Sequence, residues 1–213
     1  MIKEGPELHS TDGLRLEAEL WIPDDPRAGL VLCHPHPKMG GTMNAPLLIA
    51  VSDELVKRGW IVLRFNFRGI GESEGEASTG RAEVADAEGA VKFMRERFGD
   101  LPIAIAGWSF GAAVAARVAL DDNGLAALVA IAPAVKAKPG ITDGLPPADE
   151  VDLRIPALVL CAVNDELVDL EDCRKWAETA QTEFYAMPGA NHFFWAKYDK
   201  LARAVAEFLD AEV

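Results

Sequence analysis

The stretch PIAIAGWSFGAAVAA, from Pro102 to Ala116, joins a short apolar run to a segment of small residues. The run PIAIAG is typical of a buried strand, and the segment after it is typical of a closely packed helix. Ser109 lies at the junction, with Gly107 and Gly111 two positions away on either side. A serine in a sharp strand-to-helix turn has a strained backbone, and glycines at these positions avoid a collision with the turn. The pattern predicts a hydroxyl exposed at the end of a strand.

Similar apolar runs recur along the chain and alternate with longer segments of helical periodicity. The runs are GLVLCH, WIVLRFNF, LAALVAIAP and IPALVLCAV. Such runs are typical of parallel strands buried on both faces, with crossover helices between them. The segments on either side of Thr11–Gly13 alternate apolar and polar residues, which predicts an antiparallel hairpin at the sheet edge. We expect an α/β fold with helices on both faces of a mostly parallel sheet, in one domain over residues 1–213.

Periodicity and capping residues also predict where helices and long loops lie. Helices are expected over Ala45–Arg58, Arg81–Phe98, Asp169–Ala180 and Trp195–Ala211. The proline-rich stretch between residues 134 and 155 has little periodicity and is expected to be a loop.

Charge and hydropathy disfavour several classes of partner. The 21 Lys and Arg against 34 Asp and Glu give a net charge of −13, which repels nucleic acid and anionic membranes. The longest nearly uncharged apolar run, residues 125–135, is far shorter than the roughly 20 residues of a membrane span, and the N-terminus lacks a signal-peptide pattern. We expect a cytoplasmic protein. Its three cysteines are interpreted as buried free thiols.

A serine nucleophile needs a base and an orienting acid. Of the four histidines, His192 follows the last predicted strand, where a loop can bring its imidazole over the hydroxyl. Asp165 stands at the carboxyl end of the strand before it, with Glu166 and Asp169 as alternatives. Asp169 is the better helix cap, and Glu166 can be simply solvated. The order Ser109, Asp165, His192 is the order found in triads of this type.

The loop CHPHPKMGG is the candidate for the second half of an oxyanion site. Phe110, at the start of the helix, supplies the first N–H. Pro35 and Pro37 have no N–H, so the second donor is His36 or a residue from Lys38 onward, and His36 is preferred. The alternative interpretation of His34 and His36 as metal ligands is disfavoured against loop-bracing side chains.

No cofactor is predicted from the glycine-rich segments. GIGES lacks the third glycine of a dinucleotide-binding loop, and the chain has no GK[ST] phosphate loop. Arg68, next to GIGES, either forms an ion pair that holds this loop or is exposed.

These residues together resemble the α/β-hydrolase superfamily over nearly the whole chain. The resemblance is carried by GWSFG, Asn164-Asp165, GANH before residue 193, and RFNFRGIGESEG, which is similar to the superfamily's RGxGxS loop. HPHPKMGGTMN is similar to small bacterial hydrolases related to dienelactone hydrolase. Two departures matter: dienelactone hydrolase has a cysteine nucleophile where Ser109 stands, and the helical lid of many members has no counterpart here.

The resemblance implies a lidless serine hydrolase that acts on small or short-chain esters, with a small-molecule ester and water as its partners. Thioesters and small amides remain alternative substrates, and a non-catalytic binding protein on the same scaffold is the rival from another class. The side chains expected near the catalytic loops, as an apolar acyl pocket or as core packing, are Met39, Met43, Trp108, Phe193 and Phe194. The sequence leaves the oligomeric state open.

Overall fold

The computed structural model describes all 213 residues and contains ten strands and five α-helices. The strands are β1 (Ile2–Glu4), β2 (Leu8–His9), β3 (Arg15–Leu16), β4 (Ala18–Ile22), β5 (Ala28–Cys33), β6 (Trp60–Phe65), β7 (Ile103–Trp108), β8 (Leu128–Ile131), β9 (Ala157–Ala162) and β10 (Glu183–Met187). The helices are α1 (Pro46–Lys57), α2 (Ala82–Phe98), α3 (Phe110–Asp121), α4 (Leu170–Thr179) and α5 (Tyr198–Glu212).

Eight strands form one mixed sheet in the order β1-β4-β6-β5-β7-β8-β9-β10. From β6 to β10 all neighbours are parallel. The chain places β6 on one side of β5 and then returns to place β7 on the other. Loops after β5 and β7 therefore leave the same edge of the sheet at a topological switch point, where ligands bind in open α/β sheets.

The central strands are apolar because helices cover both of their faces. All six residues of β5, β6, β7 and β9 are buried. One apolar core includes residues of α2, α3 and α4, and the other includes residues of α1 and α5. This two-sided burial explains why the strands lack the alternating pattern of a half-exposed sheet. The predicted α/β-hydrolase architecture is confirmed.

The antiparallel N-terminal edge is more divided than the sequence indicates. Ile2–Glu4 pairs with β4, and β4 pairs antiparallel with β6. The shorter β2 and β3 pair only with each other, in a separate two-stranded sheet. Pro6 lies between β1 and β2 and has no N–H to give to a ladder.

The last helix begins at Tyr198, three residues later than the predicted start at Trp195. Phe194 and Ala196 have positive φ angles of 52° and 58°, which a right-handed helix does not contain. Residues 134–155 carry one short 3₁₀-helix, Ala148–Glu150, and a single bridge between Lys138 and Thr142, so no large lid is present. None of the helices has the length and apolar character needed to cross a bilayer.

Candidate active site

Ser109 lies in a strained turn between β7 and α3. Its φ of 56° and ψ of −110° are rare for a residue with a side chain. The turn is held because the Ser109 N–H donates to the Ile131 carbonyl at 2.8 Å, and the Ser109 carbonyl accepts from the Ala112 and Ala113 N–H groups at 3.1 and 3.3 Å. The strain is therefore maintained by β8 on one side and by the first turn of α3 on the other.

The two glycines of the turn leave room for close backbone contacts. A Cβ on Gly107 would lie 2.2 Å from the Gly111 carbonyl oxygen. A Cβ on Gly111 would lie 2.4 Å from the carbonyl oxygens of Cys33 and His34. Because such distances are far below van der Waals contact, Gly111 is what allows α3 to approach the loop after β5.

Asp165 and His192 form a buried pair at the ends of β9 and β10. The Nδ1 atom of His192 lies 2.9 and 3.0 Å from the two carboxylate oxygens of Asp165. Their side chains are only 5% and 2% exposed. The N–H groups of Leu167 and Val168 also donate to Asp165 Oδ1, at 2.9 and 2.8 Å. The carboxylate is thus fixed by the backbone, and it directs the Nδ1 proton of the imidazole inward, leaving Nε2 free.

Backbone contacts hold the two loops of this pair together. The Asn164 N–H donates to the Ala190 carbonyl at 2.9 Å. Glu166 is exposed, as a solvated residue would be, and it also accepts the His192 N–H through Oε2 at 3.3 Å. Asp169 is the N-cap of α4 and accepts from the Glu171 and Asp172 N–H groups. The sequence contained no signal for the Glu166 contact, since it depends on how two distant loops pack.

A cavity of about 670 Å³ brings the separate parts of the site together. Ser109, Phe110, His36 and His192 all line it. The Ser109 hydroxyl and the His192 ring do not form a direct hydrogen bond, and the ring forms its hydrogen bonds from Nδ1 to Asp165. Both side chains line one cavity, and the hydrogen bond between a nucleophile and its base is often long until substrate binds.

Nearly all N–H groups of residues 36–41, in the loop after β5, donate hydrogen bonds within the loop. The Lys38 N–H donates to His36 Nδ1, those of Met39 and Gly41 donate to the His36 carbonyl, and that of Gly40 donates to Pro37, each at 3.1 Å. The His36 N–H takes no part in these bonds. Phe110 is the first residue of α3, and a helix leaves its first N–H groups without an internal partner. Two N–H groups are thus free beside the cavity.

The side chains of His34 and His36 brace this loop. His34 hydrogen-bonds to the Pro35 carbonyl through Nδ1 at 2.7 Å and accepts the Phe67 N–H at Nε2 at 3.0 Å. Burial lowers the pKa of His34 from 6.5 to about 4, so the ring is neutral at neutral pH. His36 accepts from Lys38 and reaches the Ile141 carbonyl through Nε2 at 2.9 Å. Both nitrogens of both rings are therefore engaged in hydrogen bonds.

Known proteins resemble this chain along most of its length. Residues 24–151 match the family described as serine aminopeptidase, S33. The chain belongs to this family. It is therefore an α/β hydrolase. An uncharacterized protein of Rickettsia prowazekii is 29% identical over 205 residues, which cover 92% of this chain and 84% of that protein.

Two solved structures place this S33-family chain among α/β serine hydrolases. A serine hydrolase homologue from Coxiella burnetii has a TM-score of 0.86 and 29% identity, with 97% of each chain covered. A lidless α/β serine hydrolase from Xanthomonas campestris has a TM-score of 0.84 and 28% identity, with 98% of this chain and 94% of that chain covered. The absence of a large lid here is thus shared with a solved relative.

The cavity of this S33-family protein contains three of the five side chains expected near it. Met39, Trp108 and Phe193 line it, whereas Met43 and Phe194 do not. Met43 is 3% exposed and Phe194 is fully buried, so both are core residues, and Phe194 belongs to the core that includes residues of α1 and α5. For these two residues the core interpretation is correct, since apolar residues next to a catalytic loop are also the ones that anchor it.

Arg68 is buried in an ion-pair network instead of being exposed. Its guanidinium contacts Asp86 at 2.7 Å and Asp12 at 2.9 Å. Asp86 is fully buried, and that burial raises its carboxyl pKa. Asp12 is half exposed, and its hydrogen bond from Arg68 lowers the pKa of its carboxyl. The network fixes the loop after β6 against α2 and the turn between β2 and β3.

Proposed function

We propose that this protein is a serine hydrolase that cleaves carboxylic esters with Ser109 as nucleophile, His192 as base and Asp165 as the orienting acid. The observation that carries the proposal is the buried Asp165–His192 pair, which opens onto the cavity that the strained Ser109 also lines. Nucleophilic acyl transfer needs a positioned nucleophile, a base with its orienting acid, and a cavity that both of them reach. The strained turn, the buried pair and the shared cavity meet these three needs.

The reaction proceeds in two balanced steps. His192 Nε2 takes the hydroxyl proton as Ser109 Oγ forms a bond to the ester carbonyl carbon, and the same proton passes to the departing alkoxide when the carbon–oxygen bond breaks. Water then attacks the acyl-enzyme with His192 as base, which releases the acid and restores Ser109. Asp165 holds the imidazole in the Nδ1-protonated tautomer throughout.

The oxyanion of each tetrahedral intermediate accepts hydrogen bonds from the N–H groups of Phe110 and His36. The His36 assignment is supported by elimination, because Pro35 and Pro37 lack N–H and residues 38–41 give theirs to other partners. Helix α3 adds the positive end of its dipole at the same point. Removal of one such donor costs about 100- to 1000-fold in turnover in comparable enzymes.

The charges around the cavity favour esters over the free amino termini that an aminopeptidase binds. Asp169 and Asp172 line the cavity, but Asp169 caps α4 and Asp172 pairs with Lys136 at 2.5 Å. Lys138 also lines the cavity and has no carboxylate in ion-pair contact. The lining thus holds two lysines and two carboxylates, both carboxylates already have partners, and no buried carboxylate lines the cavity to receive a substrate ammonium group. Small, neutral or anionic esters are therefore the proposed substrates, with thioesters as the closest alternative.

The test is labelling with a fluorophosphonate, which reacts with activated serines. We expect stoichiometric labelling of the purified protein, loss of labelling in Ser109→Ala, and unchanged labelling in Ser52→Ala, a buried helical serine bonded to the Leu48 carbonyl. A panel of methyl and p-nitrophenyl esters, a thioester and an aminoacyl amide then ranks the substrate classes. Absence of labelling in the wild type would refute the proposal and favour a binding protein.

A further inference from the structure

A stacked aromatic pair, the partly buried Phe193 and the exposed Trp195, lies beside the cavity and is called here the aromatic shelf. The two rings are stacked, with centroids 5.1 Å apart and an interplanar angle of 15°. Phe193 lines the cavity, while Trp195 lies outside its lining and is 64% exposed. The shelf thus extends the apolar surface of the cavity to the solvent. The Trp195 ring at its outer end is not stabilised by burial.

The aromatic shelf is in direct contact with the proposed base. The Phe193 ring meets the His192 ring edge-on, with centroids 5.5 Å apart, and meets Trp108 in the same way at 6.3 Å. Trp108 in turn contacts His192 at 6.1 Å. One continuous aromatic surface therefore runs from the imidazole to the exposed face of Trp195.

The backbone of this segment is strained on both sides of Trp195. Phe194 and Ala196 have φ angles of 52° and 58°, although neither is a glycine. The turn is fixed because the Phe194 N–H donates to Asn191 and the Lys197 N–H donates to Phe194, each at 2.9 Å. Phe194 is thereby fully buried while Trp195 is directed outward. Such strain at a catalytic loop is a recurrent mark of a residue held in place for a function.

The position of the shelf decides which part of a substrate it meets. In acyl transfer the protonated imidazole gives its proton to the leaving oxygen, so that oxygen lies within hydrogen-bond distance of Nε2. Phe193 is bonded to His192 in the chain and its ring touches the imidazole. A shelf in contact with this ring is therefore within reach of a leaving alcohol bound at Nε2.

We propose that the aromatic shelf binds an aromatic ring of the leaving alcohol, which makes arylmethyl and related aromatic-alcohol esters the preferred substrates. The inference rests on the proposed ester hydrolysis and adds a preference for the alcohol part of the ester. The ring of the alcohol would extend the Phe193–Trp195 stack, and aromatic pairs of this kind contribute about 0.5–1.5 kcal/mol beyond the area they bury, or roughly 2- to 13-fold in an equilibrium constant.

The test compares three esters whose leaving groups are all alkyl-type oxygens. They are methyl butyrate, 2-naphthylmethyl butyrate with the ring on the alcohol, and methyl 2-naphthylacetate with the ring on the acid. The variants are Trp195→Ala, Trp195→Phe and the control Ile2→Ala, whose side chain is 58% exposed at the opposite, antiparallel end of the sheet order. The measured quantity is kcat/KM for each ester divided by that for methyl butyrate.

We expect Trp195→Ala to lower the ratio for 2-naphthylmethyl butyrate by about 3- to 10-fold. Trp195→Phe should retain most of the wild-type ratio, and Ile2→Ala should leave that ratio unchanged. The ratio for methyl 2-naphthylacetate should stay within about twofold. An unchanged alcohol-side ratio, or an equal fall on both sides, would overturn the shelf while Ser109-dependent hydrolysis still supported the proposed function. Absence of both ester hydrolysis and fluorophosphonate labelling in the wild type would overturn both proposals.

Discussion

Replacing Gly111 with alanine separates the stability of the fold from the geometry of the site. Gly111 lies in the first turn of α3 with ordinary helical backbone, where alanine favours the helix by up to about 1 kcal/mol. The new Cβ would, however, lie 2.4 Å from the carbonyl oxygens of Cys33 and His34. Those carbonyls belong to the segment that leads directly into His36.

The size of the required movement sets the expected loss of activity. A normal carbon–oxygen contact begins near 3.4 Å, so about 1 Å of displacement is needed between α3 and the loop. A displacement of this size in a catalytic constellation costs about 100-fold in rate. Overpacking costs about 1–3 kcal/mol of stability and is partly offset by the helix preference of alanine, so the variant stays folded.

The assay measures kcat/KM for methyl butyrate and, by urea titration, the free energy of unfolding. We expect Gly111→Ala to lose about 100-fold or more in kcat/KM but no more than about 3 kcal/mol in stability. Gly5→Ala is the matched control, because its Cβ would lie 3.7 Å from the Ala18 carbonyl, an ordinary contact. A folded Gly111→Ala protein with activity within threefold of the wild type would refute the argument that this contact positions the His36 donor.

Three further outcomes follow from the buried polar groups. Asp165→Asn should lower kcat by about 10,000-fold, because an amide favours the wrong imidazole tautomer; a loss below tenfold would contradict the assigned role. His34 has its pKa lowered from 6.5 to about 4, so the folded state binds fewer protons than the unfolded state between these values and stability falls as the pH falls. Between pH 6.5 and 4.5 the unfolding free energy of the wild type should fall by about 2 kcal/mol, and that of His34→Gln should not show this loss. Urea titration at each pH measures both values. Parallel pH profiles for the two proteins would contradict the assigned role of His34. Asp86→Ala leaves the buried Arg68 without its main partner and should cost about 3–5 kcal/mol in unfolding free energy, whereas Asp12→Ala, at the half-exposed partner, should cost below about 1 kcal/mol. Equal losses for the two variants would show that burial does not set the value of these pairs.

The sequence predicts much of the fold because strands, helices and turns are indicated by patterns among neighbouring residues. Six-residue apolar runs mark strands buried on both faces, and the turn at Ser109 is encoded by two glycines within five residues. Residue type alone predicts that Asp169 caps a helix, and Asp169 is the N-cap of α4. The predicted start of α5 at Trp195 is too early, since periodicity does not indicate that Phe194 and Ala196 have positive φ angles.

The sequence alone also predicts which residues form the site, but it does not predict their contacts. The proposed roles of Ser109, Asp165 and His192 come from residue type and chain order, and they remain predictions until activity is measured. Residue type indicates that Glu166 can be solvated, and it is exposed, but its contact with the His192 N–H depends on how the loops after β9 and β10 pack together. The stacking of the partly buried Phe193 on the exposed Trp195 likewise has no sequence motif that predicts it.

The amino-acid sequence by itself determined the alternation of strands and helices and the position of the serine turn, because apolar runs and the two flanking glycines are signals between residues near one another in the chain. Only the tertiary structure decided that Met43 and Phe194 belong to the core while Trp195 faces solvent, and that His36 keeps a free N–H. Those outcomes depend on which distant backbone groups and apolar surfaces meet. Hydrogen bonding and burial are settled by neighbours in space, and the sheet order brings together loops more than 100 residues apart, such as those of His36 and Ile141.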